Sequence, residues 1–252
     1  MRKPISVNRE AYREWKSWTA NRFGEVNEVQ ALEFWTELKL AGVPIGAKLR
    51  TLEIGFGNGA FASWAVSQGW IFVGIEADQE LVDRAVAKGW EAHHAEESLA
   101  TIVANREFDL IVAFDVLEHL THHEILSFLE SIASALAPSG KFIARIPSGD
   151  SPFARSIQYA DITHRSITGS GIVHQLAQQA GLNVVEIRAP AFPIFGLGAK
   201  RAVRRMGVAV LRAVVTYIVN VAFHDNQRRV VAPNMVIILQ LPNPPTAMRT
   251  SG

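Results

Sequence analysis

The sequence predicts an α/β fold in which a doubly wound, mostly parallel sheet carries helices on both faces. A short apolar run at 51–54 ends in three alternating glycines, Gly55, Gly57 and Gly59, and then becomes amphipathic. This is the pattern of a strand, a tight turn and a helix. Strand-like runs and helical segments alternate five times up to residue 146, which is typical of parallel strands joined by right-handed crossovers.

The composition is that of a globular protein with a sizeable core. The chain has 252 residues, 48% of them hydrophobic, a formal net charge of +1 and no cysteine. The low net charge gives no global basic field, so no nucleic-acid partner is expected. The lack of cysteine excludes disulfides and thiolate metal sites. Polar residues rather than an apolar segment follow Met1, so no signal peptide is predicted and a cytoplasmic location is expected.

Residues 1–47 are expected to form a helical cap of two helices. Aromatic residues recur at helical spacing near Tyr12 and Trp18, and a second periodic segment runs from about Phe34 to a turn at 42–44. Such aromatic stripes usually pack in a core. The cap is therefore interpreted either as an extra layer on the sheet or as a lid over a pocket.

The glycine loop is expected to bind a cofactor, because glycines allow the backbone to approach a ligand and the next helix points unpaired N–H groups at the turn. Gly55, Gly57 and Ala60 fit the GxGxxG/A pattern of dinucleotide sites. Together with Glu53 and Gly59, the same loop fits the acid-led GxGxG pattern of S-adenosylmethionine methyltransferases. The loop alone does not decide between the two.

The second predicted strand, at 70–76, ends in an acid. Glu76 lies at its carboxyl end, where a carboxylate can accept hydrogen bonds from ribose hydroxyls. Asp78 follows and is expected to cap the helix at 79–88 rather than to contact a ligand.

A third short strand, at 91–94, leads to two more acids, Glu96 and Glu97. Either glutamate could accept a hydrogen bond from an adenine amino group. Each could equally complement the dipole of the helix predicted at 98–105.

The fourth predicted strand, at 108–114, ends in the polar segment Asp115 to His119, and a helix at about 122–136 and a strand at 141–146 follow. The carboxyl ends of parallel strands meet at one edge of a sheet. The glycine loop, Glu76 and the segment after the fourth strand are therefore expected to face one crevice.

These segments resemble the class I S-adenosylmethionine-dependent methyltransferases over most of residues 50–187. Residues 52–59 (LEIGFGNG) and 114–120 (FDVLEHL) carry the resemblance, and dinucleotide enzymes lack the second motif. The resemblance implies a Rossmann-like sheet of seven strands whose last strand, at 229–240, runs antiparallel, and S-adenosylmethionine as cofactor. It also implies cofactor contacts by Glu53, Gly55, Phe56, Gly57, Gly59, Glu76, Ala77, Glu96, Asp115 and Val116.

A narrower resemblance concerns the acceptor. Residues 146–153 (IPSGDSPF) and 158–164 (QYADITH) are similar to segments in methyltransferases of cell-surface polysaccharide and lipopolysaccharide biosynthesis. Ser148 stands where asparagine is usual, and Ala160 stands where glycine is common. The resemblance implies a sugar hydroxyl of a surface glycan or its precursor as acceptor. The alternatives are a small-molecule O- or N-methyltransferase and a catalytically silent binding scaffold.

A hydroxyl acceptor has to lose a proton, so nearby histidines are candidate bases. Asp161 and His164 are three residues apart, so in a turn the carboxylate could orient the imidazole as a base. Alternatively Asp161 caps the turn and His164 bonds to nearby backbone. His119 is a rival base. Asp115, Glu118 and His119 could also bind a hard cation, but their spacing is not diagnostic and no metal is predicted.

Residues 199–222 predict a basic amphipathic helix, because they lack proline, place apolar residues at helical spacing and carry cations mainly in the first half. One interpretation packs this helix on the sheet or in a homodimer interface. A second attaches it to an anionic membrane surface, such as the inner face of the cell membrane. A third, membrane-spanning interpretation has to accommodate Arg212 near the middle of the span.

One methyltransferase domain is expected at 48–241, preceded by the helical cap and interrupted by the basic helix at 199–223. Residues 242–252 begin with a proline-rich stretch. They are predicted to form a disordered tail.

Overall fold

A seven-stranded sheet organises the chain, which is represented by a computed structural model describing residues 8–224 and 229–242. The strands are β1 (Arg50–Ile54), β2 (Ile71–Glu76), β3 (Glu91–His94), β4 (Phe108–Phe114), β5 (Leu136–Pro147), β6 (Asn183–Arg188) and β7 (Asn234–Gln240). They lie in the order β3-β2-β1-β4-β5-β7-β6, and β7 runs antiparallel to both neighbours. The predicted Rossmann-like sheet of seven strands with an antiparallel last strand is confirmed.

Helices cover both faces of this sheet. They are α1 (Arg9–Trp15), α2 (Glu28–Leu40), α3 (Ala60–Ser67), α4 (Gln79–Ala87), α5 (Leu99–Ile102), α6 (His122–Ala135), α7 (Arg155–Gln158), α8 (Ser170–Gln179) and α9 (Ala199–Phe223). The clusters on one face draw on α2, α3 and α4, and the cluster on the other draws on α5, α6 and α8. Short 3-10 helices lie at Ala20–Arg22 and Leu117–His119. The helix predicted at 98–105 is shorter, since α5 ends at Ile102.

The centre of the sheet is buried on both faces. In β4, Leu110 and Val112 pack with α2 and α3, whereas Ile111 and Ala113 pack with α6 and α8. All four side chains are fully buried. Two-sided burial explains why this strand is a continuous apolar run in the sequence rather than an alternating one.

The fifth strand is longer than predicted. β5 begins at Leu136 rather than near residue 141, and its pairing with β4 shifts register between Phe108 and Leu110. The shift is a bulge that absorbs extra residues without breaking the pairing. Pro138 and Gly140, which lie between the predicted helix and the predicted strand, are therefore part of β5.

The last strand is shorter than predicted. β7 begins at Asn234 rather than near residue 229. The backbone just before it bonds to the loop after β5 instead of to the sheet: Ser151 Oγ donates to the carbonyl of Val231 over 2.6 Å, and the N–H of Ser148 donates to that of Pro233 over 2.8 Å.

The N-terminal cap divides into two parts. α2 packs on the sheet through the buried Leu38, as an extra layer would. Every residue of α1 remains at least partly exposed, and this helix lies instead over a cavity. The first seven residues of the predicted cap lie outside the described residues.

α9 is the longest helix and stands apart from the core. Of its 25 residues, Val219 and Asn220 are buried and the others are at least partly exposed. Among the described helices, it is the one long and apolar enough to cross a membrane by length and composition. The interpretation that packs this segment into a layer on the sheet is therefore wrong. The predicted disordered tail lies outside the described residues from position 243 onward.

Candidate functional site

A cavity of about 1100 Å³ opens at the carboxyl ends of β1, β2 and β4. The strand order reverses between β1 and β4, because β2 and β3 lie on one side of β1 and β4 lies on the other. In doubly wound sheets, ligands bind in the crevice at this reversal. The strand ends contribute six lining residues: Ile54, Gly55, Ile75, Glu76, Asp115 and Val116. The crevice predicted from the sequence is thus present.

The glycine loop and the segment after β4 meet at the floor of this cavity. Gly55 has φ +72°, and a Cβ added there would lie 2.5 Å from Cγ2 of Val116. Only glycine fits this close approach without displacing its neighbour. The two motifs that are 60 residues apart in the sequence therefore form one surface.

Glu76 is held by the loop and keeps room for one more partner. Its carboxylate accepts hydrogen bonds from the backbone N–H groups of Gly57 (2.8 Å), Ala77 (2.7 Å) and Asp78 (3.1 Å). A carboxylate has about four acceptor positions, so one remains on this cavity-lining residue. Burial raises the pKa of Glu76, although the three backbone donors oppose this rise.

Four predicted cofactor residues in or beneath the loop do not line the cavity: Glu53, Phe56, Gly57 and Gly59. Glu53 is buried beneath the loop, where burial raises its pKa and the backbone N–H of Ala62 at the start of α3 opposes the rise. Phe56 is buried and meets Phe23 edge to face at 6.5 Å. Gly59 is the N-cap of α3, with φ +70°. Glu53 and Phe56 support the loop from below.

The structure shows which of the two acids after β3 faces the cavity. Glu97 lines the cavity, together with Ala77 and Leu99. The side chain of Glu96 is 91% exposed and lies 3.8 Å from His94. Glu96, which was predicted to contact the cofactor, thus points to solvent, and Glu97 faces the cavity.

Asp115 lies on the cavity wall in an unusual backbone conformation. Its φ is +59°, which is uncommon for a residue with a side chain. The carboxylate pairs with Arg145 of β5, whose Nε lies 3.0 Å from Oδ1. A neighbouring strand therefore fixes the segment that begins at Asp115.

On the opposite side of the cavity, Asp161, Thr163 and His119 form a hydrogen-bonded chain. Thr163 Oγ1 lies 2.5 Å from Asp161 Oδ1 and 2.8 Å from His119 Nδ1. The Thr163 N–H (2.9 Å) and the Tyr12 hydroxyl (2.9 Å) also donate to the Asp161 carboxylate. Burial works to raise the pKa of Asp161, but these bonds outweigh it and lower the pKa to about 2.

The hydrogen bonds from Asp161 through Thr163 determine which nitrogen of His119 carries the proton. The ionised Asp161 can only accept, so Thr163 donates its single hydroxyl proton to it. Thr163 Oγ1 must then accept from Nδ1 of His119, which leaves a lone pair on Nε2 of this cavity-lining residue with no hydrogen-bond partner among the described residues. Burial, and then the neighbouring His164, lower the pKa of His119, which favours the neutral ring.

His164 has other partners. Its Nδ1 donates to the carbonyl of Gln158 over 2.9 Å, and its Nε2 lies 4.0 Å from Glu118 Oε1. Within the part of the chain that the structure describes, the predicted pairing of Asp161 with His164 is not formed. The alternative is found, since Asp161 caps the backbone of Thr163 and His164 bonds to backbone.

Glu118, His119 and His164 are brought together beside the cavity. Their ligand atoms all lie within 4.8 Å of one another. Burial, and then the charge of Asp115, raise the pKa of Glu118 to about 8. This set could hold a divalent cation. It differs from the set considered from the sequence, because Asp115 pairs with Arg145 and His164 takes its place.

The N-terminal segment closes the cavity from above. Tyr12 and Trp18 line it, and a Cβ added to Gly57 would lie 2.9 Å from the Trp18 ring. Arg13 of α1 bonds both oxygens of Asp78, at 2.8 and 2.6 Å. The aromatic spacing indicated a lid as one option, but nothing in the sequence identified these partners or the role of Thr163.

Comparisons with known proteins agree with this geometry. The profile of a family described as "Methyltransferase domain" matches residues 8–187. A ubiquinone biosynthesis O-methyltransferase of Rickettsia canadensis (strain McKiel) is 24% identical over 98 residues, which cover 37% of this chain and 41% of that relative.

Solved structures share the fold at low sequence identity. A SAM-dependent methyltransferase from Archaeoglobus fulgidus has a TM-score of 0.60 and 13% identity, and the match covers 92% of this chain and 99% of that one. A methyltransferase from Mesorhizobium loti has a TM-score of 0.55 and 15% identity, with 82% and 97% covered.

Proposed function

Because this chain belongs to the methyltransferase-domain family, whose profile matches residues 8–187, we propose that it transfers a methyl group from S-adenosylmethionine to a hydroxyl acceptor. The observation that carries the choice of a hydroxyl is the chain of hydrogen bonds from His119 through Thr163 to Asp161, which ends in a free ring nitrogen at the cavity. An acceptor that must lose a proton needs such a group.

The residues of the cavity fit the cofactor. Glu76 keeps an acceptor position that suits a ribose hydroxyl, and Gly55 leaves bare backbone where a Cβ would collide with Val116. Ala77 and Asp115 complete this wall. In this proposal Glu97, which faces the cavity, takes the adenine-contacting role predicted for Glu96, while Glu53 and Phe56 support the loop to which Gly57 and Gly59 belong.

When bound, S-adenosylmethionine supplies a methyl group on a sulfonium centre. The chain then has to hold the hydroxyl in line with that methyl and take up its proton, and alignment alone can lower a barrier by about 7 to 11 kcal/mol. Nε2 of His119 accepts the proton. The imidazolium that forms is stabilised by the Thr163 oxygen and, through it, by the Asp161 carboxylate.

The acceptor that we propose is a sugar hydroxyl of a surface glycan or its precursor. Its support is the resemblance of 146–153 and 158–164 to enzymes of that class, together with the position of Thr163 and His164 on the cavity wall. A phenolic hydroxyl is the second candidate. It is supported by the apolar Leu120 and Phe128 in the wall and by the name of the Rickettsia relative.

The test combines donor binding with turnover. Purified protein should bind S-adenosylmethionine in calorimetry and form S-adenosylhomocysteine with a glycolipid extract. His119→Ala should lower kcat by about 100-fold or more while the Kd for the donor stays within about twofold, because the base acts only in the chemical step. His164→Ala is the matched control and should affect kcat less.

The outcomes separate the parts of the proposal. If His164→Ala abolishes turnover and His119→Ala does not, the base is His164. If neither variant matters, neither histidine is the base and the choice of a hydroxyl acceptor loses its support. Mass spectrometry of glycans and of quinones from cells with and without the protein identifies the acceptor by the missing methyl group, and absence of donor binding would refute the whole proposal.

A further inference from the structure

The side of α9 that faces the protein body is held there by polar and aromatic contacts. Arg205 lies 3.2 Å from Glu33 of α2 and 4.1 Å above the ring of Phe192, and the Arg212 guanidinium lies 4.2 Å from the same ring. Near the end of the helix, the buried Asn220 exchanges hydrogen bonds with the backbone of Arg229. Four turns of the helix are thereby fixed to the rest of the chain through polar and aromatic contacts.

The opposite side of α9 is apolar and faces outward. At 100° per residue, one stripe collects eight apolar side chains. Val203, Leu211 and Tyr217 are 75%, 63% and 69% exposed, and the others are also exposed. The full outer face consists of Val203, Met206, Val210, Leu211, Val214, Tyr217, Ile218 and Val221. A helix of a water-exposed surface has the reverse arrangement, so this face needs an apolar partner.

Charge indicates which partner. The helix has five cations and no acid, although the whole chain carries only +1. Lys200 and Arg204 are exposed at the N-terminal end of the outer face. A second copy would offer the same cations and no acid on its own α9. An anionic bilayer offers both negative head groups and an apolar interior.

The contacts of the inner side decide how α9 would meet a bilayer. A spanning helix would have to detach Arg212 from Phe192 and place its charge in the hydrocarbon. A helix lying in the interface keeps these contacts and buries only its outer face. We propose that α9 seats the protein on an anionic lipid surface, with this outer face among the acyl chains.

Vesicle flotation with the full chain tests the proposal without donor or acceptor, so its result is independent of methyl transfer. Vesicles of phosphatidylcholine with about 30% phosphatidylglycerol should carry the protein upward, and pure phosphatidylcholine should do so at least about fivefold less, because each cation near the surface contributes about 1 kcal/mol. The triple variant Val210→Ser, Val214→Ser and Ile218→Ser should reduce binding at least about tenfold.

Matched controls keep the result interpretable. Val66→Ser, Val86→Ser and Val185→Ser change equally exposed apolar side chains elsewhere and should leave binding unchanged. Lys200→Gln with Arg204→Gln should weaken binding to the anionic vesicles only. This second variant leaves the apolar face intact, so it tests the proposal even if the triple variant fails to fold.

Three results would overturn the proposal. The first is no flotation with either vesicle. The second is a dimer in solution that the triple variant converts to a monomer while lipid binding is unaffected, since the face would then serve a second copy. The third is protein that resists extraction by alkaline carbonate from membranes, which indicates a spanning helix.

Discussion

At the scale of single residues, burial sets the charge of the acid beneath the glycine loop. Glu53 is fully enclosed under α3, and among the described residues one of its carboxylate oxygens has no hydrogen-bond partner. Burial, and then the charge of Glu76, raise the pKa of Glu53 well above its ordinary value of 4.5. The folded protein therefore holds a proton that the unfolded chain releases.

This difference predicts how Glu53→Gln changes stability with pH. Because the folded pKa is the higher one, the stabilising effect of the proton is complete below about pH 4.5 and is lost as pH rises toward the folded pKa. The neutral Gln does not ionise. The variant should therefore gain stability relative to the natural protein between about pH 5 and pH 8, by at most about 1.4 kcal/mol per pH unit.

Urea unfolding at the two pH values measures the effect. Glu130→Gln, on the exposed side of α6, is the control and should follow the natural protein at both. If Glu53→Gln also followed it, Glu53 would be ionised in the folded state.

Residues close in sequence were poor guides to the site. The spacing of Asp161 and His164 suggested a pair, but the carboxylate is linked to His119 by Thr163, which lies 44 residues from that histidine. A hydroxyl that bridges two elements leaves no periodic signal in the chain. Glu76 was predictable because its position depends only on where β2 ends.

At the scale of elements, α1 joins the two sides of the cavity. Tyr12 donates to Asp161 on the acceptor side, and Arg13 bonds Asp78 at the start of α4 on the donor side. Burial, and then the bond to Asp161, raise the pKa of Tyr12, so it stays a hydrogen-bond donor. With little buried surface of its own, this helix depends on these polar contacts for its position.

Removing the ion pairs of Arg13 with Asp78 and Glu80 should therefore open the lid. The side chains of Arg13 and Asp78 are only 15% and 7% exposed, and a charge-assisted bond of this kind contributes about 1.5 to 3 kcal/mol. Arg13→Met should raise the Kd for S-adenosylmethionine about tenfold and reduce hydrogen-exchange protection in α1, while global stability falls by no more than about 1.5 to 3 kcal/mol.

Arg22→Met is the matched control, because Arg22 pairs with Glu25 at 66% and 60% exposure, where ion pairs contribute little. Calorimetry gives the Kd, and hydrogen exchange reports on α1. Equal Kd values for the two variants would show that α1 does not cover the bound donor.

The sequence pattern predicted that α9 is a helix, but not which side of the helix faces the protein. The sequence shows an apolar stripe and a basic one, and in a soluble protein the apolar stripe is expected to face the core. In α9 the main apolar stripe is exposed instead, while Arg205 and Arg212 contact Phe192 on the other side. Only a partner in another element reveals which stripe faces inward.

At the scale of the whole molecule, the sheet was predictable because its signals are local and repeated. The two-sided burial of β4 and the glycine turn after β1 are each encoded in a few neighbouring residues. The cavity depends instead on contacts between distant segments, such as that of Gly55 with Val116. The edge of the sheet that holds the site could thus be predicted from the sequence. The contacts between residues on different sides of the cavity could not.

That contact also couples the site to the stability of the whole fold. A ligand present at 100 times its Kd stabilises the folded state by about 2.7 kcal/mol, which for a chain of this size raises Tm by roughly 5 to 10 °C. S-adenosylhomocysteine should produce such a shift in the natural protein, because the product shares the ribose and the amino acid part of the donor.

Gly55→Ala should abolish most of this shift, and Gly181→Ala should keep it. Both glycines have φ +72°, so each substitution adds similar backbone strain, of about 1 kcal/mol. They differ in their surroundings: the new methyl at 55 would lie 2.5 Å from Val116 Cγ2, whereas no described atom lies within 4 Å of one at 181. Since the backbone strain cancels in this comparison, equal ligand-induced shifts in Tm would mean that the wall formed by Gly55 and Val116 is not part of the donor site.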